Sequence, residues 1–322
     1  MFPWQLKWLV QKMKQQSLRP NNLREFIGKN SIKKNLMIYI KASKLNHKQL
    51  DHCLFCGLPG TGKTTLATII AKNFNSNLKI VQGNIFQKNI DVYNCILNIK
   101  ENDILFIDEI HAINQSCYEL FYNLMEDFSF DIVIGKDFNT KITRIKIPHF
   151  TLIGATTSLS NLPAPFEQRF GIVFYFDPYK ADEIAKIVEN GCKKLNLALK
   201  PNDISLIASN SKGIPRIALM ILLRVNDYKI VNPKSSVVKI LEKIGIFKGG
   251  LNQNDIKYLK AFVNNQKFLG IKTISQITQF DQKFIESKIE PYLIQIKYLV
   301  KTNNGRMLSN LAWDFLQKQH NG

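Results

Sequence analysis

Short unbroken apolar runs alternate with stretches of helical spacing through the first half of the chain. Cys53–Cys56, in DHCLFCG, is one such run and stops at Gly57. DILFIDEIH (103–111) holds another between charged residues, and FTLIGATTS (150–158) a third. Residues that are apolar at successive rather than alternate positions suit strands buried on both faces, the condition of a parallel sheet. Residues 63–74 read as a helix, and Phe26, Ile27, Ile32, Leu36 and Ile40 upstream form a helical apolar face. Strands alternating with helices predict an α/β domain with a parallel sheet.

The pattern changes twice further on. In FDIVIGKDFNTKITRIKIPHF (130–150), Ile132 and Ile134 precede Gly-Lys-Asp-Phe-Asn, and Ile142, Ile145 and Ile147 follow it. That predicts a β-hairpin inserted before the third strand, either a pair of ordinary sheet strands or a protruding docking element with apolar tip residues. From about 181 the spacing is helical without a strand pattern, which predicts a small helical domain. FKGGLN (247–252) reads as a linker with a glycine pair. Beyond it, YLVKTNNGRMLS (298–309) predicts a second hairpin, turning at Asn304-Gly305.

At 322 residues the chain has room for two or three domains. No apolar run approaches the roughly 18 residues of a membrane helix, and the first 17 residues lack a signal-peptide pattern. A cytoplasmic protein is expected, with no membrane partner. The five cysteines are odd in number and scattered, which argues against a disulfide framework; Cys53-x-x-Cys56 lies on an apolar strand with no second pair to complete a zinc site. The formal net charge of +19 invites a polyanion such as nucleic acid. Of 44 basic residues only seven are Arg, so the excess is mostly lysine and a compositional bias alone could produce it.

Gly57-Leu58-Pro59-Gly60-Thr61-Gly62-Lys63-Thr64 fits the phosphate-loop pattern G-x-x-x-x-G-K-[ST] in full, with the strand before it and the helix after it that the pattern requires. Its backbone N–H groups can surround phosphate, Lys63 can reach the β- and γ-phosphates, and the Thr64 hydroxyl can bind Mg²⁺. Asp108-Glu109 ends the second apolar run. A carboxylate at that place sits beside the loop; Asp108 can hold Mg²⁺ through water and Glu109 can activate an attacking water. His111 is expected to support its neighbours rather than react. Thr156 and Thr157 end the third run and can sense a γ-phosphate. Arg169, in PFEQRFG, and Arg216, in GIPRIA, use Arg where the chain otherwise prefers Lys, and Arg suits forked phosphate contacts and a finger supplied to a neighbour.

This ordered set resembles the AAA+ ATPases and, more narrowly, the RuvB family of Holliday junction branch migration motors. The resemblance is carried by LRPNNLREFIGK, LDHCLFCGLPGTGKTTLA, DILFIDEIH, LMEDFSFDIVIGK, FTLIGATT, GIPRIA and EPYLIQIKYLVKTNNGRM, from Leu18 to about Trp313. It implies a parallel-sheet P-loop AAA+ domain (18–180), a small helical lid (181–248) and a winged-helix DNA-binding domain (249–322), after an N-terminal extension (1–17). It also implies an ATP- and Mg²⁺-dependent hexamer around duplex DNA that acts on four-way junctions. A RuvA-type junction-binding protein would dock on the 130–147 hairpin, and a RuvC-type resolvase would join the assembly. The nucleotide site would comprise Leu18, Arg19, Gly57, Gly60, Gly62, Lys63, Thr64, Thr65, Glu126, Asp127, Phe128, Thr157, Arg169, Tyr179 and Arg216. Within it Arg169 is the finger toward a neighbour's γ-phosphate, Arg216 the lid sensor and Thr157, ahead of Thr156, the strand sensor. Lys301 and Arg306 would contact DNA from the wing.

Some positions depart from the family's usual residues. Ser158, Glu167 and Gln282 each stand where Arg is common, and the wing reads Lys301-Thr302-Asn303-Asn304-Gly305-Arg306 in place of a more basic stretch. Lost cations would weaken DNA binding more than hydrolysis, flattening the salt dependence by about one unit of slope per phosphate contact. The alternatives are a clamp-loader-like AAA+ switch, a helicase of the DEAH type and a scaffold that uses ATP only to assemble. The basic wing and the hairpin favour the motor over the first, the absence of a second helicase domain disfavours the second, and intact Lys63, Asp108, Glu109 and Arg169 disfavour the third.

Overall fold

A computed structural model of the chain describes residues 18–134, 141–263 and 268–320. The expected extension 1–17 and the centre of the first hairpin, 135–140, lie outside them. The fold separates into two compact units: one takes in residues up to Asn196 with Gly213–Leu219, the other Leu197–Lys212 with the chain from Met220 onward.

In the first unit the elements run α1 (Asn30–Leu45), β1 (Cys53–Gly57), α2 (Lys63–Phe74), β2 (Leu78–Gln82), α3 (Asn89–Ile96), β3 (Ile104–Asp108), α4 (Gln115–Glu126), β4 (Ser129–Ile134), β5 (Lys141–Lys146), β6 (Thr151–Thr156), α5 (Ala164–Glu167), β7 (Ile172–Phe176) and α6 (Ala181–Leu195). Five strands form one parallel sheet in the order β2-β3-β6-β1-β7. The apolar runs are buried on both faces because alternate residues serve two cores. Cys53 and Phe55 of β1 pack with α1 and α2, while Leu54 and Cys56 pack with α3 and α4. Both cysteines are free thiols, and burial raises the pKa of each, Cys56 to about 11.

The structure has two further strands, β2 and β7, beyond the three apolar runs and the hairpins above. Both are edges of the sheet: β2 has no buried position, while β7 alternates buried with exposed or half-exposed ones. The helical face expected from Phe26 onward also starts later. Gly28 and Lys29 both have positive φ (74° and 51°), so the helix begins only at Asn30 and Phe26 belongs to the segment before it. A buried His52 ties the layers together: its Nε2–H donates to Met125 O (3.0 Å), at the end of α4, and its Nδ1 accepts from Leu152 N (2.9 Å), on β6. Burial lowers its pKa, in keeping with that neutral tautomer.

The first predicted hairpin is present as β4 and β5, an antiparallel pair separate from the main sheet. Asp131 and Arg144 face each other across it and form an exposed ion pair (3.0 Å).

The second unit contains α7 (Pro201–Ser209), most of α8 (Pro215–Val231), α9 (Val237–Lys243), α10 (Gln253–Lys260), α11 (Ile271–Thr278), α12 (Gln282–Phe284), a π turn at Ile285–Ile289, α13 (Glu290–Gln295), β8 (Leu299–Thr302), β9 (Gly305–Leu308) and α14 (Asn310–His320). A core of Tyr258, Leu259, Phe262, Ile285, Leu293, Leu308 and Leu316 joins the last helices to the β8–β9 wing. The π turn precedes Pro291, which has no N–H to continue the α-helical ladder.

Two glycine-bearing segments behave differently from their sequence reading. The FKGGLN segment is a packed turn rather than a loose linker. Phe247 bridges Leu251, Gly250 N donates to Asn210 Oδ1 (2.9 Å), and a Cβ at Gly250 would meet Asn210 O at 2.6 Å. The wing turns one residue earlier than Asn304-Gly305 implies: Thr302 pairs with Gly305, leaving Asn303-Asn304 as the loop. Gly305 (φ 127°) is required for a different reason, because a Cβ there would lie 2.7 Å from Leu269 O.

Candidate nucleotide site

The central strands β3, β6 and β1 are neighbours, and their carboxyl ends bring together Asp108, Thr156 and the loop that begins at Gly57. Ligands of open α/β sheets bind at that edge. The loop is shaped by close backbone approaches. Gly57 (φ 147°) has no room for a Cβ, which would meet Phe176 O at 2.5 Å, and a Cβ at Gly60 (φ 82°) would meet Arg216 Cβ at 2.7 Å. Helix α2 begins at Lys63, so its unpaired N–H groups point toward the loop and favour an anion there.

A cavity of about 400 Å³ opens beside the loop, lined by residues of the first unit alone. It collects the predicted Leu18, Arg19, Gly60, Gly62, Lys63, Thr64, Thr65, Asp108, Glu109, Tyr179 and Arg216. Lys63 is buried, and its Nζ donates to the carbonyls of Gly57 (2.7 Å) and Leu58 (3.0 Å). Burial lowers its pKa, and the nearby Asp108 and Glu109 oppose that only in part. Burial also lowers the pKa of Arg19, with Arg216 adding repulsion. Among the described residues none of these three cations forms an ion pair. Lys63 is buried while Arg19 and Arg216 are exposed, and a set of cations that forms no ion pair among the described residues suits an anion that binds from outside.

The groups placed to act on that anion are themselves ordered. Thr157 Oγ1 donates to Glu109 Oε2 (3.0 Å), and His111 Nδ1 lies 2.9 Å from Thr156 Oγ1 and 3.4 Å from Glu109 Oε2. Thr156 is buried and its Oγ1 also accepts from Ser158 N (3.0 Å), whereas Thr157 is exposed. The Tyr179 hydroxyl donates to Thr61 O (3.1 Å), buttressing the loop from behind. Lys194 Nζ donates to Arg19 O (2.9 Å) and so holds α6 against the segment before α1.

Three family models match consecutive stretches of the chain: the Holliday junction DNA helicase RuvB P-loop domain over residues 18–176, the RuvB AAA lid domain over 179–246 and the RuvB C-terminal winged helix domain over 248–317. The chain belongs to the RuvB family. It is 47% identical over 300 residues to the Holliday junction branch migration complex subunit RuvB of Ureaplasma urealyticum serovar 10, covering 93% of this chain and 96% of that one. It is 43% identical over 304 residues to the same-named subunit of Mycoplasma genitalium, covering 94% and 99%. Among solved structures it is similar to the Thermotoga maritima RuvB Holliday junction branch migration motor, with a TM-score of 0.80 and 32% identity over 94% of this chain and 98% of that one. The architecture is that of the family: a parallel-sheet P-loop domain, a lid and a winged helix.

Six residues predicted for the nucleotide site of this RuvB-family chain are not among those that line the cavity: Gly57, Glu126, Asp127, Phe128, Thr157 and Arg169. Arg169 stacks on Tyr122 (4.1 Å to the ring centre) and donates from Nη1 to Pro165 O (2.7 Å). Its Nη2 donates to Glu126 Oε2 (3.4 Å); its Nε is 3.2 Å from Glu126 Oε1 but lacks hydrogen-bond alignment. Asp127 is exposed at the end of α4, and Phe128 packs with His149 and Phe150. Conversely, the cavity includes Ile187, Asn190 and Leu219, which no motif singled out. Their signal was only the i, i+3 spacing of α6 and the proximity of Leu219 to Arg216 in sequence.

In the second unit, the predicted DNA residues converge on a carboxylate. Glu290 is fully buried and accepts from Tyr258 Oη (2.9 Å) and Arg306 Nε (2.9 Å), with Lys301 Nζ at 2.5 Å. Arg306 also reaches Glu286 (2.9 Å) and is only 14% exposed; Lys301 is 43% exposed. Burial works to raise the Glu290 pKa, but the hydrogen bonds from Arg306, Lys301 and Tyr258 outweigh it and the net direction is down.

Proposed function

We propose that the chain is the ATP-hydrolysing motor subunit that drives branch migration of Holliday junctions in recombination and repair. The observation that carries this reading is the continuous match to RuvB P-loop, lid and winged-helix domains, in a chain whose P-loop cavity holds Lys63, Arg19 and Arg216 with no ion pair among the described residues. The division at 180 and 248 belongs to this reading. The same matches favour the motor over a clamp-loader-like switch.

In the proposed mechanism the loop from Gly57 to Thr65 binds the phosphates of ATP, Lys63 turns from the Gly57 and Leu58 carbonyls to the β- and γ-phosphates, and Glu109 takes the proton of the attacking water. Thr64 and Asp108 form a hydroxyl-and-carboxylate donor set that fits a hard cation, so they would hold Mg²⁺, which neutralises phosphate charge. Thr157 and Arg216 sense the γ-phosphate. Leu18, Arg19 and Tyr179 shape the rest of the nucleotide site.

Arg169 lies off the cavity of its own chain, which supports a role as a finger toward a neighbouring subunit, positioned by Glu126 and flanked by Asp127 and Phe128. That role requires a ring, and we assign a hexamer around duplex DNA. The separate β4–β5 hairpin suits the docking of a RuvA-type junction-binding protein, with a RuvC-type resolvase in the same assembly. Lys301 and Arg306 would serve the DNA side of the wing. No helix among the described residues is long and apolar enough to cross a membrane; we assign the cytoplasm.

The test is ATP-driven migration of a synthetic four-way junction, with the cognate junction-binding partner and Mg²⁺ supplied and Lys63→Ala as control. Migration lost in the variant supports the motor. ATP turnover without migration overturns it.

A further inference from the structure

The nucleotide cavity has a polar wall and an apolar wall. The loop residues, Lys63, Asp108, Glu109 and Arg216 account for the phosphates. Ile187, Pro215 and Leu219 give the remainder an apolar lining. Set among them is Asn190, half-buried on α6. Ile187, Asn190 and Lys194 recur at i, i+3 and i+7, so they share one face of the helix. Lys194 is already engaged by the Arg19 carbonyl. The Asn190 amide makes no hydrogen bond with any described residue.

An amide offers a donor and an acceptor side by side, and both amide atoms of Asn190 are reached by solvent and open to a ligand. A phosphate presents acceptors only and could satisfy just the NH₂ group. Ribose hydroxyls donate and accept and could serve both groups, so a preference that follows the base is what distinguishes base from ribose. The N6/N7 edge of adenine presents the complementary pair, an exocyclic N–H beside a ring nitrogen acceptor, which a carboxamide matches with two parallel hydrogen bonds, whereas the N7/O6 edge of guanine presents two acceptors and matches only the NH₂ group. With the phosphates at the Gly57–Thr64 loop, the room left for the base is the remainder of the cavity, which Asn190 lines together with apolar residues.

We infer that Asn190 reads the edge of the adenine base and sets the preference of this site for ATP over GTP. The inference rests on the nucleotide-binding reading of the cavity. The experiment is equilibrium binding of ATP, GTP and purine riboside triphosphate, which lacks the exocyclic amine, to the full chain and to Asn190→Leu, Asn190→Gln and Lys63→Ala. The unaltered chain should prefer ATP over both analogues. Asn190→Leu should lose about tenfold in ATP affinity, lose less for purine riboside triphosphate, which keeps only the ring nitrogen of the pair, and bring ATP and GTP to within about twofold of each other. Asn190→Gln should keep part of the preference, and it carries the test if the leucine variant does not fold. An ATP-to-GTP ratio unchanged in Asn190→Leu, or no preference in the unaltered chain, overturns the inference. Failure of the unaltered chain to bind ATP, or binding indifferent to Lys63→Ala, overturns the nucleotide reading itself.

Discussion

Two groups of cations in this chain occupy opposite electrostatic situations. Lys63, Arg19 and Arg216 face the P-loop cavity without a carboxylate partner, whereas Arg306 and Lys301 on the wing close onto the buried Glu290. In the first group, of which only Lys63 is buried, no described carboxylate pairs with the charge, which leaves it open to an anion from outside the chain. In the second the counterion is part of the chain, and the pair fixes the β8–β9 wing to α13. A basic motif therefore has no single meaning: its role depends on whether the fold supplies the anion.

The contrast is sharpest in the effects of substitution. Lys63→Ala should reduce ATP turnover by roughly 100-fold or more while leaving the thermal stability of the chain nearly unchanged, as read by steady-state hydrolysis and a melting curve. Arg169→Ala should lower turnover on a similar scale but leave ATP binding to the isolated chain intact, because Arg169 is not a cavity residue. Mixing it with Lys63→Ala subunits should restore part of the turnover if the finger acts on a neighbour, and no restoration at any ratio would count against that role.

For the wing the order reverses. Glu290→Ala should destabilise the winged-helix unit by about 3–5 kcal/mol, since it strands the Arg306 guanidinium and the Tyr258 hydroxyl together, and denaturant melts would measure it. Acid should produce the same loss more gradually. The folded Glu290 pKa is depressed, so its stabilisation is fully present above the unfolded carboxyl value of about 4.3 and is lost as pH falls below it; urea midpoints between pH 7 and 3 should drop less in Glu290→Ala than in the unaltered chain. Lys301→Ala should have the smallest effect. Its half-exposed ion pair contributes under about 1 kcal/mol, while the salt dependence of DNA binding should flatten by about one unit of slope. If Arg306→Ala flattens the slope without lowering stability, the division between the two groups does not hold.

The site was legible where chemistry demands fixed residue types at fixed spacing. The loop motif, Asp108-Glu109 and Thr156-Thr157 all lie at the ends of apolar runs, and those runs are central strands of the sheet. Strand β7 is an unbroken apolar run, Ile172–Phe176, whereas edge strand β2 was not legible, because Lys79 and Gln82 interrupt its apolar residues. Nor was Asn190, since an amide on a helix face looks like any solvated position until the opposite wall is in place. The glycine at 305 was noticed for the wrong reason: its sequence context indicates a turn, but the constraint is the Leu269 backbone beside it.

The sequence by itself determined the α/β class, the phosphate loop, the carboxylates beside it and the helical stretch followed by a hairpin in the second half. Each follows from local spacing, because strands, helices and phosphate loops repeat on periods of a few residues. Only the tertiary structure decided that Arg169 stays off the cavity, that FKGGLN is a packed turn, and that Arg306 is held by Glu290. Those outcomes depend on partners far along the chain: Arg169 on Glu126 and Tyr122, Gly250 on Asn210, Arg306 on a carboxylate 16 residues earlier. No local pattern records which distant group will be present to satisfy a charge or crowd a glycine.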